Sequence, residues 1–128
     1  VKRIERNPTT GVYPATTDYI HALEVSAPQR ILYVSGTMGL DEGGAPGRSL
    51  DDQLVLVWSN IRAILASADM SVDNIVRVTS YLRDSAYADA NAKARKAALG
   101  GRLVPTTAIV VQTLVEEWLV ELEVVAVA

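Results

Sequence analysis

Two apolar stretches late in the chain constrain its fold more than anything else in the sequence. Residues 105–113 read PTTAIVVQT and residues 118–127 read WLVELEVVAV. Their β-branched content predicts two strands. Alternate residues of a strand face opposite sides. Thr106, Ala108 and Val110 then share one face of the first, and Thr107, Ile109 and Val111 the other. In the second, Val120, Leu122, Val124 and Ala126 oppose Leu119, Glu121, Glu123, Val125 and Val127. Both faces are mostly apolar, whereas a sheet with one face in water alternates apolar with polar. The second face therefore predicts cover from another copy of the chain, a homo-oligomer.

The remaining elements follow from periodicity and punctuation. YIHALEV (19–25) predicts a strand, and a turn at APQR (27–30) predicts a hairpin to ILYVSG (31–36). DEGGAPGRS (41–49) reads as a mobile connector. Ser49 with Asp52 resembles a capping box, and Leu54, Val57/Trp58, Ile61, Ile64/Leu65 and Ala68 recur at helical spacing up to about Asp69. Trp58 falls on that apolar stripe and is expected in the core. IVRVTSYLR (75–83) alternates strictly, with Val76, Val78, Ser80 and Leu82 opposing Arg77, Thr79, Tyr81 and Arg83. An alanine-rich helix over 86–99 is capped by Asp84 or Ser85 and stopped by Gly100-Gly101. The order β-β-α-β-α-β-β predicts an α+β fold, a mixed sheet with two helices on one face. No linker divides it, so residues 1–128 form a single domain.

Composition narrows the function classes. At 128 residues, 49% hydrophobic and 21% charged, the chain can bury a core. Its apolar runs fall short of a membrane span, which needs about 18 residues. The opening VKRIERNP is too charged for a secretory signal, and the chain has no cysteine, so a cytoplasmic setting is expected. A net charge of −3 argues against a nucleic-acid partner. Charge is segregated, with Lys93, Arg95, Lys96 and Arg102 in one stretch and only acids (Glu116, Glu117, Glu121, Glu123) after residue 114. A single histidine, no metal-ligand cluster and no phosphate-binding loop predict that neither a metal nor an organic cofactor is used.

VSGTMGLD (34–41), QLVLVWSNIRAILASADMSVDNIVRVTSYLRD (53–84), YADANAKAR (87–95), VPTTAIVV (104–111) and VELEVVA (120–126) occur in an order that resembles the Rid family, the reactive-intermediate deaminases, also called YjgF or L-PSP endoribonuclease-like. The resemblance spans roughly residues 19–127. It implies a chorismate-mutase-like fold and a homotrimer with a central barrel. It also implies clefts between subunits in which small imines or enamines are hydrolysed to ammonia and a keto acid without a cofactor.

Carried over by position, the resemblance implies substrate contacts at Tyr19, Ser35, Gly36, Asn91, Thr107 and Ile109, with Glu121 positioning or activating water. Relatives read Pro-Ala-Arg-Ser where this chain reads Pro105-Thr106-Thr107-Ala108. The arginine of deaminating members holds a substrate carboxylate by a two-pronged contact. A neutral hydroxyl bond contributes about 0.5–1.5 kcal/mol, against about 1.5–3 for a bond to a charged group. The usual α-imino acids are therefore not the expected substrate.

His21, two residues beyond Tyr19, is either a further cleft residue or a satisfied structural histidine. Arg102 or Arg95 could supply the missing cation or simply sit at the surface. Trp118 could line the cleft mouth or the trimer rim, and Glu123 reads as structural or solvated. The expected function is hydrolysis of a C–N bond in a small imine or enamine. The alternative is a non-catalytic trimer that binds a small molecule or regulates a partner. Ribonuclease activity fits least, given the acidity and lone histidine.

Overall fold

The first helix begins where Ser49, in extended conformation, accepts a hydrogen bond on its side chain from the Asp52 N–H. That cap satisfies one of the free N–H groups of the first turn, and Asp51 and Asp52 complement the positive end of the helix dipole. In the computed structural model, which describes residues 1–128, the chain forms β1 (Lys2–Arg6), β2 (Ala22–Ser26), β3 (Ile31–Met38), α1 (Leu50–Ala66), β4 (Ile75–Leu82), α2 (Ala88–Ala98), β5 (Thr106–Val110) and β6 (Val120–Val127). Single 3-10 turns precede β4 and α2, the second capped by the Asp84 side chain. Gly100 and Gly101, at φ 62° and 82°, end α2 in the left-handed region that only glycine adopts freely. No helix is long and apolar enough to cross a membrane.

Four strands make the main sheet in the order β3-β6-β4-β5, with β6 antiparallel to both neighbours and β4 parallel to β5. Val120, Leu122, Val124 and Ala126 of β6 turn toward the helices and pack with Val78 and Leu82 of β4 and Val57, Trp58, Ile61 and Leu65 of α1. Each fully buried aliphatic side chain of this kind stabilises the fold by about 1.5–3 kcal/mol. Ala98, Leu99 and Val104 extend the same core from the end of α2 into β5. The α+β layout expected from the sequence is the one observed.

Three expectations change. β2 does not form a hairpin with β3; it pairs with the N-terminal strand β1, which periodicity missed. The 27–30 turn is instead anchored to the chain end. Ala27 adopts φ 50°, and the Gln29 and Arg30 N–H groups both donate to Ala128 O at 2.9 Å. β1 escaped notice because KRIER has no apolar face; Arg6 is held to Glu24 at 2.8 Å.

The 41–49 connector is not loose. Asp41 accepts from the Gly43 and Ala45 N–H groups, and Asn60 donates to Met38 O and Leu40 O.

Nor is the sheet face away from the helices uniformly apolar. Ile31, Tyr33 and Ile109 are exposed there, but its middle carries Arg77, Thr79, Tyr81, Glu121 and Glu123. The β4 alternation dictates half of that polarity.

Gln53 ties this scaffold to the loops at one end of the sheet. It is buried, donates to Gly47 O at 3.0 Å and Glu117 O at 2.8 Å, and accepts from Leu119 N–H at 2.9 Å. Gln53→Ala leaves these groups unpaired, and unfolding in urea should show a loss of about 1–3 kcal/mol. Hydrogen exchange should quicken first at residues 112–119.

Candidate functional site

Register across the sheet composes the polar face. Ile109, Tyr81 and Glu121 lie side by side on β5, β4 and β6, and the next row is Thr107, Thr79 and Glu123. On the far side of β6 the pairing with β3 slips between Val34 and Thr37, so Ser35 and Gly36 form a bulge beside the carboxylates. Bulges re-aim a strand locally. Here the bulge brings the Gly36 backbone so close to Glu121 that any side chain at 36 would overlap Glu121 Oε2.

Gly36, Tyr81, Glu121 and Glu123, with Val111, Gln112, Thr113 and Leu114 from the loop after β5, line a cavity of about 320 Å3. The loop is held by Arg83, which donates to Thr113 O and Oγ1. The two acids differ in their commitments. Tyr81 donates its hydroxyl to Glu123 at 2.8 Å, whereas the Glu121 carboxylate takes part in no hydrogen bond or ion pair within the chain. Glu121 is thus the acceptor available to a molecule in the cavity.

Of the residues singled out in the sequence, Ser35, Gly36, Thr107, Ile109 and Glu121 share this face. Thr107 accepts a hydrogen bond from Arg77 Nη2 at 3.2 Å. Tyr19 and Asn91 lie elsewhere. They line a second cavity, of about 250 Å3, on the helix side of β5, together with Arg95, Thr106 and Ala108.

His21 stands with Arg77 and Pro105 along a third groove. Its Nε2 lies 2.7 Å from Tyr13 O, an acceptor only, so Nε2 carries the proton. The ring meets Tyr13 and Tyr19 edge-on at 5.2 and 5.7 Å. Arg102 donates to Val72 O and Ile75 O, with its guanidinium committed to the start of β4 and its pKa pulled down by burial.

Two residues of the face, Arg77 and Tyr81, were not singled out from the sequence. The signal was present: the strict alternation of IVRVTSYLR sets both on the side of Thr79. Donation to Glu123 holds the Tyr81 phenol above its ordinary range, reinforced by slight burial and by the charge on Glu121. A raised folded pKa means this bond supports the fold below the unfolded value of about 10. That support is lost as pH climbs through the raised value. Glu123→Gln should shift the Tyr81 alkaline transition down, read as the tyrosinate absorbance that disappears in Tyr81→Phe.

Comparison with known proteins agrees with the fold and the family resemblance. The family described as Endoribonuclease L-PSP matches residues 10–128. A RutC family protein, YjgH, of Escherichia coli is 37% identical over 79 residues, 59% of this chain and 60% of its own length. A RutC family protein of Aquifex aeolicus is 34% identical over 67 residues, 52% of this chain and 51% of its own length. The chain thus spans between half and two thirds of these relatives. The crystal structure of YyfB from Yersinia pestis, of the Rid family, superposes over 100% of both chains with a TM-score of 0.85 at 26% identity. RidA from an Antarctic Psychrobacter shares the fold, with a TM-score of 0.73 at 23% identity over 97% of this chain and 94% of its own. The chain belongs to the Rid (YjgF, L-PSP endoribonuclease-like) family.

Proposed function

We propose that the polar-face cavity hydrolyses the C–N bond of a small imine or enamine. Water adds to the imine carbon, the nitrogen leaves as ammonia, and a carbonyl remains. The observation that carries this reading is Glu121, a half-buried carboxylate with no partner in the chain, held against the Gly36 backbone inside the cavity. An acceptor so placed can take the proton of an attacking water, a step that contributes typically about 10²–10⁴-fold. Gly36 and Ser35 offer backbone groups beside it, and no step calls for a metal or an organic cofactor. Ribonuclease activity is disfavoured by the same geometry, because Glu121 and Glu123 would repel a phosphodiester.

The substrate would depend less on a carboxylate than the usual α-imino acids do. Thr107 offers a neutral hydroxyl, and the nearby guanidinium of Arg77 reaches it from the adjoining strand rather than from position 107. The same feature favours a second reading, in which the site binds a small molecule without turning it over. We place the complete site between subunits of a homotrimer. Exposed Ile31, Tyr33 and Ile109 on the polar face's margins give the apolar contact such an assembly needs. A stable monomer in sedimentation would remove the intersubunit site.

The decisive assay generates 2-aminoacrylate and its imine in place with a serine dehydratase and traps surviving imine with semicarbazide. The expected result is little clearance by the native protein. Clearance should rise about ten- to hundredfold in Thr107→Arg on an Arg77→Gln background, which restores one charged contact without crowding two guanidinium groups. Glu121→Gln should abolish that gain. An intact oligomer with no gain would favour the non-catalytic reading. Gly36→Ala should also cut the gain while hardly changing stability, because only the flexible end of Glu121 must move.

A further inference from the structure

The outer faces of α1 and α2 leave a groove between them that the fold does not fill. Alanines are the reason: α2 presents Ala90, Ala94 and Ala98 to it, whose side chains are too short to reach across. Leu54 and Trp58 of α1 close the floor, and the space enclosed is about 520 Å3. The lip is apolar as well, with Val55 71% exposed on one helix and Ala97 exposed on the other. Small-molecule sites between helices have this character, with volumes of about 300–1,000 Å3. The groove shares no residue with the Glu121 cavity, nor with the cavity of Tyr19 and Asn91 on the opposite side of α2. It therefore stands apart from the chemistry proposed at Glu121.

The walls carry two cations without partners. Arg62 of α1 and Lys93 of α2 are exposed, and neither enters a hydrogen bond or ion pair within the chain. Lys93 does not pair even with Asp89, one turn before it, which faces the cavity on the other side of the helix. The one acid in the lining, Asp51, lies eleven residues before Arg62 on α1, about 16 Å along the axis. Its charge complements the start of the α1 dipole and does not neutralise Arg62. In a chain of net charge −3, the groove thus combines an apolar floor with a positive rim. A carboxylate meets a guanidinium through two parallel charge-assisted bonds. An inorganic anion would leave the apolar floor in water, and an ammonium compound would be repelled at Arg62.

We infer that this groove binds a small amphipathic monocarboxylate. Its apolar chain lies along Leu54, Val55 and Trp58, its carboxylate is held by Arg62, and Lys93 adds positive charge from the facing helix.

The test uses the full chain in its native oligomer with three probes: octanoate, octylammonium (same chain, opposite charge) and butyrate (same charge, shorter chain). Calorimetry should show octanoate binding in the millimolar range or tighter. Each of the other two should bind at least about tenfold more weakly, one for want of the charge-assisted bond and one for want of buried methylenes. In NMR spectra, octanoate should shift resonances of Val55, Trp58 and Ala97 and leave those of Gly36, Tyr81 and Glu121 in place. Two variants at exposed positions, where folding is not at stake, locate the site. Arg62→Gln should weaken octanoate at least about tenfold and remove its advantage over octylammonium. Ala97→Leu fills the groove with another good helix former and should abolish binding at an unchanged melting temperature. No octanoate binding, equal binding of octanoate and octylammonium, or shifts confined to Gly36, Tyr81 and Glu121 would each overturn the inference; the first would leave the groove to an acid-flanked helix of another protein. Unchanged affinity in both variants would overturn it too, making octanoate an adventitious ligand held elsewhere.

Discussion

Everything in this molecule depends on burying one face of β6. The strand has a neighbour on each edge, and its helix-facing residues Val120, Leu122, Val124 and Ala126 are sealed beneath α1. A one-residue slip would send that apolar set into water and bring Glu121 and Glu123 into the core, at a cost no domain of this size could offset. The core therefore sets the position of the carboxylates. Because they alternate with core residues on the same strand, the two acids face the opposite side with little freedom along it. The β3 bulge then brings the Gly36 backbone against one of them.

The arginines show how differently one residue type can be used in a single small domain. Arg102 donates to two backbone carbonyls before β4 and acts as a clasp. Arg83 holds the loop after β5. Arg77 lies exposed beside Thr107, available to solvent and to anything seated on the polar face. Arg95 alone is deeply buried without a counter-charge. In water these side chains would be equivalent; burial and the partners within reach separate them. The same sorting divides Glu123, bound to Tyr81, from Glu121, which is not.

The paired threonines after Pro105 illustrate how far a sequence can be read. Strand periodicity alone states that Thr106 and Thr107 point to opposite sides. It does not say that one side is a helix-covered pocket with Asn91 and Arg95 and the other a polar face with Arg77. The resemblance to the family gathered Tyr19, Asn91, Thr107 and Glu121 into one implied cleft, whereas in the single chain Tyr19 and Asn91 line one cavity, Glu121 lines another on the opposite side of β5, and Thr107 stands on the Glu121 face bonded to Arg77. The hairpin expected at 27–30 failed for a related reason: local turn chemistry cannot see that Ala128 O is waiting for the Gln29 and Arg30 N–H groups.

Local and periodic signals were enough to determine both helices, the Ser49 cap, the glycine stop after α2 and the α+β order. Each of these rests on interactions between residues close in sequence or on which face of one element is apolar. Strand pairing, the reach of Arg77 to Thr107 thirty residues away, the contact of Gly36 with Glu121 and the unpaired state of Arg95 were decided only by the tertiary structure. They arise from side chains distant along the chain meeting once the core has closed, and a linear pattern does not record which of them will be left without a partner.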